Sequence, residues 1–337
     1  MPIIKERDSN MELLRITAMF LVVMVHTNFL SIGVPQKNDL IDAFDSSISR
    51  FTIHSLSVVC VNLFVLLSGW YGIRIKCRKL GSLFFQLAFF VIISLLYGFV
   101  FSKEMSITDV LRTIRWHGMW WFVKAYLLLY FMSPVLNDFC ENTTKKEFTC
   151  VLFAFYAFSS LNWLIEWVPW IMSGYSTISF IGLYLLARYF KLYFDKTDRF
   201  KETTLFIVYI LSTTLTIVGM VLSTYRGISI GMWYGYDSPL VILSSLCLLL
   251  LFSRISIKSR FVNIIAKSSF AVYLFHTSHY VFQDFSEHLN RFYTHHSYTM
   301  YFIYSILFGL SIFIISFLLD RLRLFFWSIL FSSDKSN

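Results

Sequence analysis

The sequence predicts an all-α, polytopic integral membrane protein, a bundle of about ten transmembrane helices with both termini in the cytoplasm. Three observations predict it. Hydrophobic residues make up 57% of the 337 and charged residues only 15%, against roughly 45–50% and 25% in an average soluble domain. The apolar residues come in blocks long enough to cross a hydrocarbon layer, which takes about 20 residues per helix. Short polar clusters separate the blocks, and Lys and Arg are shared unevenly between alternate clusters.

In chain order the blocks are Ile16–Ile32, Ser55–Tyr71, Leu80–Phe101, Gly118–Leu136, Phe148–Trp167, Tyr175–Tyr189, Thr203–Leu222, Gly231–Phe252, Phe261–Phe282 and Tyr298–Leu319. The sixth is short and the eighth contains glycine. The connections leave no stretch of about 50 residues to fold as a soluble unit, so residues 1–337 are expected to form a single membrane domain. The first block has the basic flank of a signal peptide but no small-residue cleavage site after it, and is expected to be retained.

The net charge of +9 is a topology signal before it is a nucleic-acid signal, and no nucleic acid is expected as a partner. With the N-terminus inside, Lys37, Arg50, Lys103, Arg112, Arg115, Arg226 and Arg291 fall outside and Lys124 falls within the fourth block. The remaining Lys and Arg are cytoplasmic, an excess of about three to one that one missed block would scramble. Cys60, Cys77, Cys140, Cys150 and Cys247 lie in blocks or on the cytoplasmic side and form no Cys-x-x-Cys pair. Neither disulfides nor a zinc site is implied. The inverted repeat of many secondary transporters is missing.

The first helix opens with Ser9-Asn10-Met11-Glu12, a Ser-x-x-Glu capping box that sets its start. Arg15 and His26 are then three turns and about 20° apart, on one face and roughly 16 Å apart along the axis. Ionisable groups inside a span cost roughly 2.5–3.5 kcal/mol on insertion scales, so they usually face a cavity or a partner. Arg15 has a structural alternative, pairing with Glu12 one turn earlier. His26 has one too, as a hydrogen bond between helices.

These residues and several further segments resemble acyltransferase family 3, membrane proteins that O-acetylate bacterial surface polysaccharides and related glycans. Glu12-Leu-Leu-Arg15 followed by ten residues and His26 matches the family's acidic-x-x-Arg-x10-His pattern, with Glu where Asp is commoner. Asn62 to Ser68-Gly69-Trp70 is similar to its Ser-Gly-aromatic segment. Trp121-Phe122 through Tyr126 and Tyr130 to Pro134, Phe180 to Arg188-Tyr189, Tyr236-Asp-Ser238-Pro239, and Ser269 through Tyr273 to His276 follow in the family's order. The resemblance runs end to end.

It implies transfer of a short acyl group, most simply acetyl, from cytoplasmic acyl-CoA to a hydroxyl of a cell-surface or lipid-linked saccharide. The donor is a substrate rather than a permanently bound cofactor, and the setting is a bacterial cell membrane with its lipids around the helices. A hydroxyl is a poor nucleophile at neutral pH, so a general base must take its proton as it attacks the thioester. His26 is the expected base, Arg15 and Glu12 the expected contacts to acyl-CoA, and Asn62, Ser68, Trp121, Lys124 and His276 candidates for the substrate cavity.

Each candidate has a plainer reading. Ser68 in a Ser-Gly pair is more often a helix-packing point than an acyl-carrying nucleophile, and Lys124 is as well placed to snorkel outward as to line a cavity. His276 and His279 stand one turn apart, yet no third ligand is spaced to join them and no metal is expected. Trp116, Trp120, Trp121, Trp163, Trp167, Trp170 and Trp233 cluster on the outer side, either to stack on sugar rings or as an interfacial belt. A saccharide transporter would also need a polar cavity, and a succinyltransferase of the same family would share these motifs. The charge bias yields the first testable outcome: Lys196→Cys should react with impermeant thiol reagents only from the cytoplasmic side, and labelling from outside would overturn the topology.

Overall fold

The computed structural model describes residues 8–101, 106–115, 120–165, 172–194 and 201–331. The regular structure among them is helical. The helices are α1 (Ser9–Val25), continued by a π-helical turn at His26–Leu30, α2 (Lys37–Asp42), α3 (Phe44–Ser57), α4 (Cys60–Tyr71), α5 (Cys77–Phe101), α6 (Ile107–Ile114) and α7 (Trp121–Asn142). They continue as α8 (Lys145–Ile165), α9 (Thr177–Phe194), α10 (Glu202–Arg226), α11 (Gly231–Tyr234), α12 (Pro239–Arg254), α13 (Arg260–Ala266), α14 (Ser269–His276), α15 (His279–His295) and α16 (Tyr298–Leu330).

Among the described residues, seven helical segments are long and apolar enough to cross a membrane: Ser9–Leu30, Phe44–Tyr71, Cys77–Phe101, Lys145–Ile165, Glu202–Arg226, Gly231–Arg254 and Tyr298–Leu330. They correspond to seven of the expected blocks, and the protein is a multi-pass helical membrane protein. α7 and α9 occupy the fourth and sixth blocks, where Lys124, Arg188 and Lys191 dilute the apolar run. The ninth block departs from expectation. Instead of one span over Phe261–Phe282, the chain breaks near Lys267 and again at Thr277–Ser278, giving α13, α14 and the start of α15. At the second break Thr277 Oγ1 donates to the Tyr273 carbonyl at 2.6 Å and Ser278 Oγ to the Phe275 carbonyl at 2.8 Å. These hydroxyls add a second donor to carbonyls that the Thr277 and Ser278 amides already meet at 3.1 and 3.2 Å.

α1 is the hub, packing against α3, α4, α12, α13, α14 and α16. Its start differs from the capping-box expectation. Asp8 occupies the N-cap position, Ser9 is already helical, and the Ser9 hydroxyl accepts from the Ser259 amide at 3.0 Å. Glu12 pairs with Arg15 one turn on. Polar contacts knit the other helices, as expected where hydrocarbon surrounds rather than drives packing: Ser212 to Ser244 at 2.7 Å joins α10 and α12, and Gln86 with Arg323 reaches Asp320 between α5 and α16. In α7, Pro134 leaves the Tyr130 carbonyl without its usual amide, and the Ser133 hydroxyl fills the gap at 2.7 Å.

α4 and α9 cross at Gly69, where an added Cβ would stand 2.4 Å from the Tyr184 carbonyl oxygen. Backbone cannot yield as a side-chain tip can. Gly69→Val should therefore cost about 1–3 kcal/mol or more through overpacking, read as a lowered unfolding temperature of the purified protein, whereas Gly81→Ala, whose Cβ would meet only Trp327 at 3.6 Å, should leave it near wild type.

Candidate active site

His26 lies where α1 changes from α to π winding. A π turn shifts the hydrogen-bond register and leaves carbonyls without their usual amides, a cost of several kcal/mol each in a membrane unless refilled. Here side chains refill them. Thr27 Oγ1 donates to the Met24 carbonyl at 3.1 Å, Ser31 Oγ to the His26 carbonyl at 2.7 Å, and the Tyr301 hydroxyl of α16 to the Thr27 carbonyl. Beyond the turn, the buried Arg50 of α3 donates to the Ile32 and Gly33 carbonyls, and Asn28 returns a bond to the Arg50 carbonyl at 2.8 Å. The backbone around His26 is thus fixed from α3 and α16.

His276, at the end of α14, stands behind His26. The His26 Nδ1 and His276 Nε2 atoms are 2.8 Å apart, and His276 Nδ1 is 2.5 Å from the Val272 carbonyl oxygen. A carbonyl only accepts, so His276 Nδ1 carries a proton. A neutral imidazole has one N–H, so His276 Nε2 accepts, and His26 Nδ1 must donate to it. The lone pair of His26 is left on Nε2, with Phe282 edge-on to its ring at 5.9 Å between centroids.

His26 forms part of the wall of a small cavity of about 30 Å³, together with Met19, Val22, Cys60, Phe64, Phe122 and Tyr273. Trp121 and Tyr236 line it too, their rings stacked 5.9 Å apart, and Tyr175 packs against both. No Lys, Arg, Asp or Glu among the described residues lines it.

The other expected site residues separate into groups. Trp121 and His26 share the cavity, and His276 supports it from behind. Asn62 is fully buried and shapes the cavity indirectly, donating to the Tyr236 carbonyl at 3.0 Å. Ser68 is outside the cavity lining: its hydroxyl bonds the Phe64 carbonyl at 2.9 Å and the Tyr126 hydroxyl at 3.0 Å, beside the close crossing at Gly69. Lys124 also departs from the cavity expectation, because the winding of α7 puts it on the exposed face. Arg15 and Glu12 form an ion pair at 2.5 Å, with 30% of the Arg15 side chain exposed against 10% for Glu12.

The His276–His279 pair is split by the break at Thr277, and His279 instead faces Asp109 of α6 at 3.6 Å. Of the outer tryptophans, Trp163 and Trp233 pack on each other and spend their indole N–H groups on the Met232 carbonyl and the Ser223 hydroxyl. Trp116, Trp167 and Trp170 lie outside the described residues, as does Lys196. Sequence reasoning missed Cys60, Phe122, Tyr236 and Tyr273 as cavity residues, although the last three stand in the segments that carried the resemblance.

Among known proteins, the acyltransferase family 3 model, described as an acyltransferase domain, matches residues 8–321, nearly the whole chain. No curated protein and no solved structure matches the chain.

The refilled carbonyls make a checkable point. Tyr301→Phe removes the donor to Thr27 while keeping the ring, and should cost about 1–3 kcal/mol for the orphaned carbonyl, measured as a lower unfolding temperature. An unchanged temperature would mean that the π turn does not need α16.

Proposed function

The chain belongs to acyltransferase family 3, and from that membership we propose that it moves an acetyl group from cytoplasmic acetyl-CoA to a hydroxyl of a cell-surface or lipid-linked saccharide, in a bacterial cell membrane, with His26 as general base. The observation that carries this reading is the fixed tautomer chain from Val272 through His276 to His26. It leaves one unshared lone pair, on His26 Nε2, in a residue that lines a cavity. That nitrogen takes the proton of the saccharide hydroxyl as the oxygen attacks the thioester carbonyl. The CoA thiolate leaves without needing an acid, since a thiol near pKa 8.5 is a good leaving group.

His276 acts here by position. It holds the His26 ring and receives the Nδ1 proton, so that the positive charge formed on His26 is shared toward the Val272 carbonyl. Arg15 is assigned to the anionic part of acyl-CoA. Its ion pair with Glu12 leaves guanidinium donors and nearly a third of the side chain accessible, and Glu12 orients the fork. The cavity favours acetyl over succinyl as the donor group. It is small and has no cation among its described lining residues, so a succinyl carboxylate would be buried unpaired, at a cost of several kcal/mol.

Purified protein given acetyl-CoA and an acceptor glycan should release free thiol and add acetyl mass to the glycan, with succinyl-CoA turned over at least about tenfold more slowly. His26→Gln keeps a polar side chain that cannot take the proton, and should lose about 10²–10⁴ in rate with an unchanged unfolding temperature. Retention of more than about a tenth of turnover in well-folded protein would remove His26 as the base.

A further inference from the structure

A second cavity, of about 710 Å³, opens between α1, α13, α14 and α16, within the ~300–1,000 Å³ range of ligand pockets. It lies on a different flank of α1 from the cavity at His26. Thr17, one of its lining residues, is nine positions before His26 and so points about half a turn away. Its long wall is apolar, made by Phe20, Phe261, Ile264, Leu310, Phe313 and Phe317. Its polar end is made by Ser268 and Ser269, at the start of α14.

Three features at that end are incomplete. The Ser269 side chain is buried at 1% exposure and its hydroxyl has no hydrogen-bond partner among the described residues. Arg321 lies over the Phe317 ring at 4.8 Å and donates to the Ser268 hydroxyl at 2.9 Å, while its buried Nε has no acceptor and no carboxylate among the described residues pairs with it. The Ser268 hydroxyl is engaged with that guanidinium, and no side chain caps the N-terminus of α14. A helix N-terminus, an unpaired guanidinium and an unused hydroxyl are jointly satisfied by one phosphate.

We propose that this cavity is a binding site for one anionic phospholipid of the bilayer, with its phosphate held by Arg321, Ser269 and the start of α14 and its acyl chains lying along Phe20, Leu310 and Phe313. An anionic lipid fits better than a zwitterionic one because, among the described residues, no carboxylate lines the cavity beside the Arg321 guanidinium. A bilayer lipid fits better than the lipid tail of an acceptor because the wall is turned away from His26. The site stands independently of the acyl-transfer chemistry.

The full-length protein, purified in mild detergent and offered equal amounts of phosphatidylglycerol and phosphatidylcholine, should retain one phosphatidylglycerol in native mass spectra. Arg321→Gln and Ser269→Ala should each lower that retention on the order of tenfold, the effect of losing a hydrogen bond to a charged group. Ser269→Ala should do so at an unchanged unfolding temperature in lipid-free detergent, since its hydroxyl bonds nothing in the protein. Equal retention of the two lipids, or a preference untouched by both substitutions, would overturn the proposal. Displacement of phosphatidylglycerol by an equal amount of a polyprenyl phosphate would reassign the site to a lipid-linked acceptor.

Discussion

The hydrogen bond between His26 and His276 joins residues 250 positions apart and fixes much of what surrounds it. For it to form, α1 must run through the centre of the bundle and α14 must present its last residue to α1. For it to have a direction, His276 must find a carbonyl behind it, which the last turn of α14 supplies at Val272. A buried imidazole pair with no external acceptor would be free to exchange tautomers. Here one backbone carbonyl removes that freedom, and which nitrogen of His26 keeps its lone pair follows from ordinary donor and acceptor bookkeeping.

The two irregular elements of the fold meet at this pair. α1 changes winding at His26 and the ninth segment breaks just after His276. In water such departures cost little, because solvent fills the vacated hydrogen bonds. In hydrocarbon each must be refilled from the protein. The hydroxyls of Thr27, Ser31 and Tyr301 do that work at the π turn and Ser133 does the same beside Pro134, while at the second break Thr277 and Ser278 add hydroxyl donors to carbonyls that also keep an amide.

Hydropathy made seven of the spans legible, because a block of about 20 apolar residues has few other uses. It hid the break in the ninth segment, since Lys267–Ser269 and Thr277–Ser278 are short polar interruptions inside an apolar window. Spacing placed Arg15 and His26 on one face of α1, and that reading survives because the π turn begins only at His26. The ion pair of Arg15 with Glu12 was open in the sequence as one of two alternatives, and the geometry supplies it without closing the guanidinium to other partners. The outward position of Lys124 and the indirect position of Asn62 depend on how helices turn toward one another, which no local pattern in a single chain records. The winding change itself has a faint signature, the polar Thr27, Asn28 and Ser31 inside an otherwise apolar run.

The distance in sequence between the two histidines also sets the order in which the molecule becomes competent. During synthesis the first helix enters the membrane with His26 already in place, while the segment that orders its ring is made among the last. Until then the imidazole has no fixed acceptor behind it and the small cavity lacks the wall given by Tyr273. An interrupted chain ending anywhere before α14 therefore carries His26 without the partner that fixes its tautomer. The histidine pair is completed only when the final helices close around α1.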